Sequence, residues 1–205
     1  MIRNVIFDFG AVLFQWNPCK IVQTFTDSKY EQQLLLNQVL QHPDWLSLDR
    51  GTMLIAEVIP KCAARTGFSE SRMEDFFDHI LNSLVKISCT QTLFYQILDH
   101  HYSIYYLTNM SSAFFETLNE RHSFLSLCKG GLVSGKELIV KPDPEIFELL
   151  LERYNLQADE SLFIDDSEDN IKSARSLGFH TVRFEQSDEC LEAIYDLLDL
   201  TKIIE

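Results

Sequence analysis

The stretch Val5-Ile6-Phe7-Asp8-Phe9-Gly10-Ala11-Val12-Leu13 constrains the fold of this chain more than any other. The run from Arg3 to Phe7 has no breaker and ends in Val-Ile-Phe, short and apolar enough for a strand buried on both faces. A carboxylate, Asp8, follows at the end of that strand, and Gly10 lets the backbone turn tightly. Open α/β sheets place their ligands and chemistry at the carboxyl ends of strands. An aspartate there also serves simply to cap a turn or the next helix. The rest of the chain decides between the two readings.

After Phe14 the texture changes. From Cys19 to about Lys86 the apolar residues recur at helix spacing: Leu34, Leu35 and Val39, then Leu54, Ile55, Val58 and Ile59, then Met73, Phe76, Phe77, Ile80, Leu81 and Leu84. Pro43 and Pro60 are expected to interrupt or end helices, and Gly67 followed by Ser69 reads as a stop and a new N-cap. The expectation is an all-helical block of three or four helices spanning roughly 70 residues.

From Thr90 helices and strands alternate. Helices are expected over 93–99, 111–121, 145–154, 169–177 and around 190–200. Strands are expected over 104–107, 130–133, 162–164 and 180–184. Such alternation implies an α/β fold, a doubly wound, Rossmann-like parallel sheet with helices on both faces. Residues 1–14 and 90–205 would form this core, and 15–89 an inserted all-helical domain.

With 17 Lys and Arg against 31 Asp and Glu, the net charge is −14. That field repels phosphate backbones and anionic lipid, so neither nucleic acid nor membrane is an expected partner. An anionic small molecule would need local positive charge, from a metal ion or a placed lysine. The five cysteines are scattered, with no CxxC pair or zinc-ligand spacing, and read as reduced thiols. No signal-peptide pattern and no membrane-length apolar run is present, so a cytoplasmic protein is expected.

Polar groups stand at the carboxyl ends of three strands: Asp8, Thr108-Asn109 and Asp165-Asp166. Lys141 precedes a helix between the second and third. Each is explicable alone as a turn former or cap. Adjacent carboxylates after Leu162-Phe163-Ile164 are costly unless a cation sits with them, and three converging carboxylates suit a hard cation such as Mg²⁺.

The order strand–Asp8, strand–Thr108, Lys141-Pro142 and strand–Asp165-Asp166 resembles the four motifs of the haloacid dehalogenase-like (HAD) hydrolase superfamily. The inserted helices resemble its C1 cap. The run Asp165-Asp166-Ser167-Glu168-Asp169-Asn170-Ile171 is especially similar to the branch holding sugar-phosphate phosphatases and the phosphatase domains fused to epoxide hydrolases. The resemblance implies a Mg²⁺-dependent phosphatase acting on a small phosphorylated metabolite, such as a sugar phosphate. It makes Asp8 the nucleophile that forms an aspartyl-phosphate. Asp8, the Gly10 backbone carbonyl and Asp166 would hold the metal, with Asp165 as a direct or water-mediated group. Thr108 and the Asn109 backbone N–H would hold the phosphoryl oxygens, and Lys141 would neutralise charge.

One position departs from the pattern. Members of the family usually carry a second Asp two residues after the nucleophile, as acid and base; here that residue is Gly10. The departure predicts dependence on substrates with good leaving groups, and a gain on alkyl phosphates from Gly10→Asp. Within the Asp49-Arg50-Gly51-Thr52 turn, Arg50 is a candidate substrate clamp, and Trp16 at the hinge is expected to pack rather than stack on ligand. Two other functions compete: a metal-independent 2-haloacid dehalogenase, which the paired aspartates disfavour, and a non-catalytic phosphometabolite-binding regulator. Oligomeric state is not legible in the sequence.

Overall fold

In the computed structural model, which describes residues 1–200, the opening apolar run forms β1 (Asn4–Phe7), buried along its whole length. Buried on both faces, its backbone polar groups can be satisfied only by strands on either edge. β1 is therefore the centre of a five-stranded sheet in the order β3-β2-β1-β4-β5, with every pairing parallel. Val5 lies opposite Ile104 on one side and Leu162 on the other.

The helical insert follows β1. It comprises α1 (Pro18–Phe25), α2 (Lys29–Leu35) running into a π-helical turn at Leu36–Leu40, α3 (Pro43–Arg50), α4 (Ile55–Thr66) and α5 (Glu70–Ser83). Five α-helices thus stand where the periodicity suggests three or four. The extra breaks are local: Asn17, Ser28 and His42 cap short helices, and elements of two turns are too brief to show a clear period. Pro43 opens α3 at its first turn, as expected of a residue without an N–H. Pro60, by contrast, lies inside α4 and does not end it. Val58, Ile59, Cys62 and Ala63 bury the face of α4 on both sides of the proline, and that burial outweighs one lost backbone bond. Gly67, in the left-handed conformation, stops α4, and Ser69 caps α5 as the sequence indicates.

Entry and exit of the insert run side by side: the Gln15 amide donates to Val85 and the Ile87 amide to Leu13. The chain then alternates through α6 (Ser88–Asp99), β2 (Ser103–Thr108), α7 (Ser112–Arg121), β3 (Gly130–Val133), the short α8 (Ser134–Glu137), α9 (Pro144–Tyr154), β4 (Ser161–Asp165), α10 (Glu168–Ser176), β5 (His180–Arg183) and α11 (Asp188–Leu197). Successive strand residues face opposite sides. Val5, Phe7, Ile104 and Leu162 pack with α6, α7 and α11, whereas Ile6, Leu107 and Phe163 pack with α9 and α10. This is the doubly wound α/β core with an inserted helical block. The chain leaves β1 toward β2 and β3 and returns on the far side to β4, so a crevice opens at the carboxyl ends beside β1. No helix among the described residues is long and apolar enough to cross a membrane.

The insert is pinned to the core at one corner. The Ser134 hydroxyl donates to the backbone carbonyl of Asp49 at 2.5 Å and accepts from the Met110 amide at 2.9 Å. Gly51, which caps α3 at φ +80°, comes so close to Gly135 that an added Cβ would lie 2.2 Å from its carbonyl oxygen. Both the positive φ and the clash forbid a side chain there. Gly51→Ala is expected to cost about 2 kcal/mol or more in urea unfolding, whereas Gly67→Ala, with open space around it, shows only the backbone strain. Equal losses in the two variants would contradict this close approach.

Candidate active site

Asp8 leaves β1 with its amide donating to the Ile164 carbonyl at 3.0 Å, so β4 fixes where the carboxylate starts. Thr108 ends β2 and Asp165 ends β4. Lys141 comes from the loop before α9, preceding a cis peptide bond to Pro142, and is 3% exposed. Its ammonium lies 2.8 Å from Asp8 Oδ1 and 2.6 Å from Asp165 Oδ2, and donates to the Leu107 carbonyl at 2.8 Å. All three ammonium protons are thereby committed. Burial alone would push the lysine toward neutrality; the two carboxylates override it and hold its pKa above the usual value.

Two asparagines support this centre. Asn109 Nδ2 donates to the Lys141 carbonyl and the Lys141 amide donates to Asn109 Oδ1, each at 2.8 Å, tying the end of β2 to the lysine loop. Asn170, on α10, donates to both oxygens of Asp165 at 2.9 and 3.0 Å, and the Ser167 amide adds a third bond at 2.8 Å. In the sequence Asn109 is expected to act through its backbone N–H, and Asn170 carries no signal. A side chain answering a loop 32 residues away leaves no local signal. Asp165, fully buried and saturated with donors, orients Lys141. Asp166 faces the cavity.

Carboxylate oxygens of Asp8, Asp165 and Asp166 fall within 4.8 Å of one another. Three acids with one lysine are under-neutralised. Burial pushes the Asp8 carboxyl up to about 7, against the pull of Lys141, and burial followed by the Asp165 charge also raises Asp166. A hard divalent cation seated against Asp8 and Asp166 would relieve that excess, and an all-oxygen donor set suits Mg²⁺.

The Thr108 hydroxyl is the single buried side-chain polar atom among the described residues with no hydrogen-bond partner. Such a group costs about 1–3 kcal/mol unless something completes it. It stands at the end of β2, between the Asn109 and Leu107 groups that hold Lys141, where an anionic oxygen would complete it.

Above these groups lies a cavity of about 300 Å³. Asp8, Gly10, Asn109 and Asp166 form its floor, and Trp16, Pro18, Leu40, Trp45, Leu84, Met110 and Phe114 its walls. Trp16 stacks on Trp45, with centroids 5.7 Å apart and planes at 25°, so it packs as expected while also lining the cavity. Arg50 is turned to the seam between α3 and the lysine loop, 3.6 Å from Asp143. Its neighbour Asp49 is the residue of that turn that lines the cavity.

Residues 92–178, which carry Thr108, Lys141 and both terminal aspartates, match the family model described as haloacid dehalogenase-like hydrolase. Over those residues the chain is similar to the haloacid dehalogenase-like hydrolases. It is similar to a sesquiterpene phosphatase from Aspergillus oryzae, 28% identical over 86% of each chain. It is also similar to a D-ribitol-5-phosphate phosphatase from Bacteroides thetaiotaomicron, 24% identical over 97% of this chain and 100% of that one. A HAD family enzyme of Bacteroides thetaiotaomicron, crystallised with magnesium and inorganic phosphate, shares the fold, with a TM-score of 0.74 and 21% identity over 92% of this chain and 96% of that one.

The unpartnered hydroxyl weighs on stability. Thr108→Val keeps the shape and removes the orphan, so the ligand-free protein is expected to gain about 1 kcal/mol in chemical unfolding. A loss of similar size would mean that the hydroxyl has a partner in the folded state.

Proposed function

We propose that the chain is a Mg²⁺-dependent phosphatase of a small phosphorylated metabolite, working through an aspartyl-phosphate on Asp8. Residues 15–89 act in this reading as the cap that closes over the substrate. The observation that carries it is the buried, unpartnered Thr108 hydroxyl, set beside an excess of carboxylates that a single lysine cannot balance.

Asp8, fixed by β4 at its amide and by Lys141 at Oδ1, attacks phosphorus and takes the phosphoryl group. Thr108 donates its hydroxyl to a phosphoryl oxygen, and Lys141 supplies positive charge as negative charge develops there. Asn109 and Asp165 hold the lysine in place for both steps. When bound, Mg²⁺ at Asp8 and Asp166, with the Gly10 carbonyl alongside, would neutralise the phosphoryl group and screen it from the acids. A dehalogenase gains nothing from Asp166 beside Asp8, because a second anion without a cation opposes the nucleophile.

The cavity favours a phosphomonoester with an apolar or aromatic body over a sugar phosphate. A sugar needs several convergent polar groups, and above the floor the walls offer Asp49 among tryptophans, leucines and Phe114. The similarity to a sesquiterpene phosphatase supports the same substrate class. At about 300 Å³ the space lies at the small end of ligand pockets.

The test is phosphate release from prenyl, aryl and sugar phosphates, with Mg²⁺, with EDTA and with Asp8→Asn. Activity on prenyl and aryl esters, lost in both controls, is the expected result. Halide release without metal dependence, or binding of phosphate without turnover on any ester, would replace this reading with the dehalogenase or the regulator.

Metal binding should also be pH-linked. In the metal-free fold the Asp8 proton is held up to about 7, against 3.8 in the unfolded chain. Native protein therefore binds the extra proton between those values, and metal-free stability falls as pH rises through that window. Mg²⁺ competes with that proton, so its stabilising shift in melting temperature is expected to be larger at pH 8 than at pH 6. Asp166→Asn should shrink the shift at both values. A shift independent of pH would place the metal away from Asp8.

A further inference from the structure

This inference rests on the phosphatase reading. An alkoxide leaving a phosphoryl group needs a proton, and the floor of the site has none to give. Asp8 is the nucleophile, Asp166 faces the cation, and Asp165 has every oxygen bonded. The protons of Lys141 go to Asp8, Asp165 and the Leu107 carbonyl. Asn109 is spent on the lysine backbone. Gly10 offers no side chain.

One titratable group remains on the wall of the same cavity: Asp49, at the end of α3, near enough that the Asp8 charge acts on it. It is held there deliberately. Ser134, fully buried, bonds its backbone carbonyl, and Gly51 beyond it is pressed onto Gly135. We propose that Asp49, delivered by the helical insert, is the general acid and base of the reaction.

Burial, then the Asp8 charge, keep the Asp49 carboxyl well above the usual carboxylate range, while the Trp45 side chain and Ser111 backbone partly offset that rise. The nearby charges are otherwise engaged: Arg50 with Asp143, Lys136 of α8 with Glu116, and Glu137 with Arg153. Among the described residues, these nearby side-chain cations are thus paired away from Asp49. In the first step an Asp8 oxygen bonds phosphorus, the P–O bond to the organic group breaks, and the departing oxygen takes the Asp49 proton. In the second, the Asp49 carboxylate accepts a proton from water as that water bonds phosphorus. The P–O bond to Asp8 then breaks, releasing phosphate and restoring both acids. Gly10 thus does not impose good leaving groups: the proton comes from across the cavity.

The experiment compares octyl phosphate, whose leaving oxygen must be protonated, with p-nitrophenyl phosphate, whose leaving group need not be. For Asp49→Asn, kcat/KM on octyl phosphate should fall about 10²–10³-fold, and on p-nitrophenyl phosphate less than about 10-fold. Turnover of the nitrophenyl ester should then show a burst of nitrophenolate, because water attack on the phosphoenzyme has lost its base. Asp49→Glu, which keeps the acid, should stay within about 10-fold of wild type on octyl phosphate and covers the case in which the Asn variant does not fold. Equal losses on both esters, no burst, or a Glu variant as impaired as the Asn variant on octyl phosphate alone would overturn the role of Asp49. Wild-type protein inactive on both esters, and no different from Asp8→Asn, would instead remove the phosphatase reading beneath it.

Discussion

The buried ion triplet Asp8–Lys141–Asp165 is the interaction on which the site depends. It joins the ends of β1 and β4 to the loop before α9, and its third bond, to Leu107, draws in β2. Taking three charges out of water is expensive, and the attraction repays that only with near-complete hydrogen bonding. Here the bonding is complete around the lysine and around Asp165. At Asp8, by contrast, the side chain is bound by Lys141 at Oδ1 and lines the cavity with Asp166. The deficit is therefore placed at Asp8, where a cation would make it good. Removing Lys141 would leave two buried carboxylates unpaired, a loss of about 3–5 kcal/mol for a pair of this kind.

Stability comes from elsewhere. Two apolar layers sandwich the sheet, and in β1 and β4 the residues between the Asn4–Ser161 hydrogen bond and the carboxyl ends are apolar. The sheet can thus carry an unpartnered hydroxyl and excess negative charge at one rim. The cost is local, and the core that offsets it lies a few residues down each strand.

That arrangement explains what was legible in the sequence. Asp8, Thr108 and Asp165-Asp166 stood out because each follows an apolar run too short for a helix, and the end of such a run marks a sheet rim. Lys141 was legible through its proline and the helix start after it. The parallel sheet follows from the alternation of helices and strands, since parallel neighbours need crossover connections. The number of helices in the insert was not legible, because α1, α2 and α3 are near two turns each and Pro60 is overridden by burial around it. Asn170 and the Asn109 side chain act over tertiary distance, where no spacing rule reaches. At the end of α3, charge marks Arg50 in the sequence, whereas the fold turns Arg50 to Asp143 and leaves Asp49 at the cavity.

The division of labour between the two parts of the chain follows from the same geometry. The charged groups at the cavity floor come from the sheet and its loops, where parallel pairing fixes backbone positions on both sides of β1. The apolar wall of the cavity comes mostly from the insert: Trp16 and Pro18 at its entry, Leu40 and Trp45 around α3, Leu84 at its exit. Asp49 belongs to the second set by sequence, yet Ser134 and Gly135 hold its backbone against the first. A residue in that position stands between the charged floor and the apolar wall. The apolar wall of the insert can then vary without disturbing the charged centre, provided that the small residues at 51, 134 and 135 keep the corner closed.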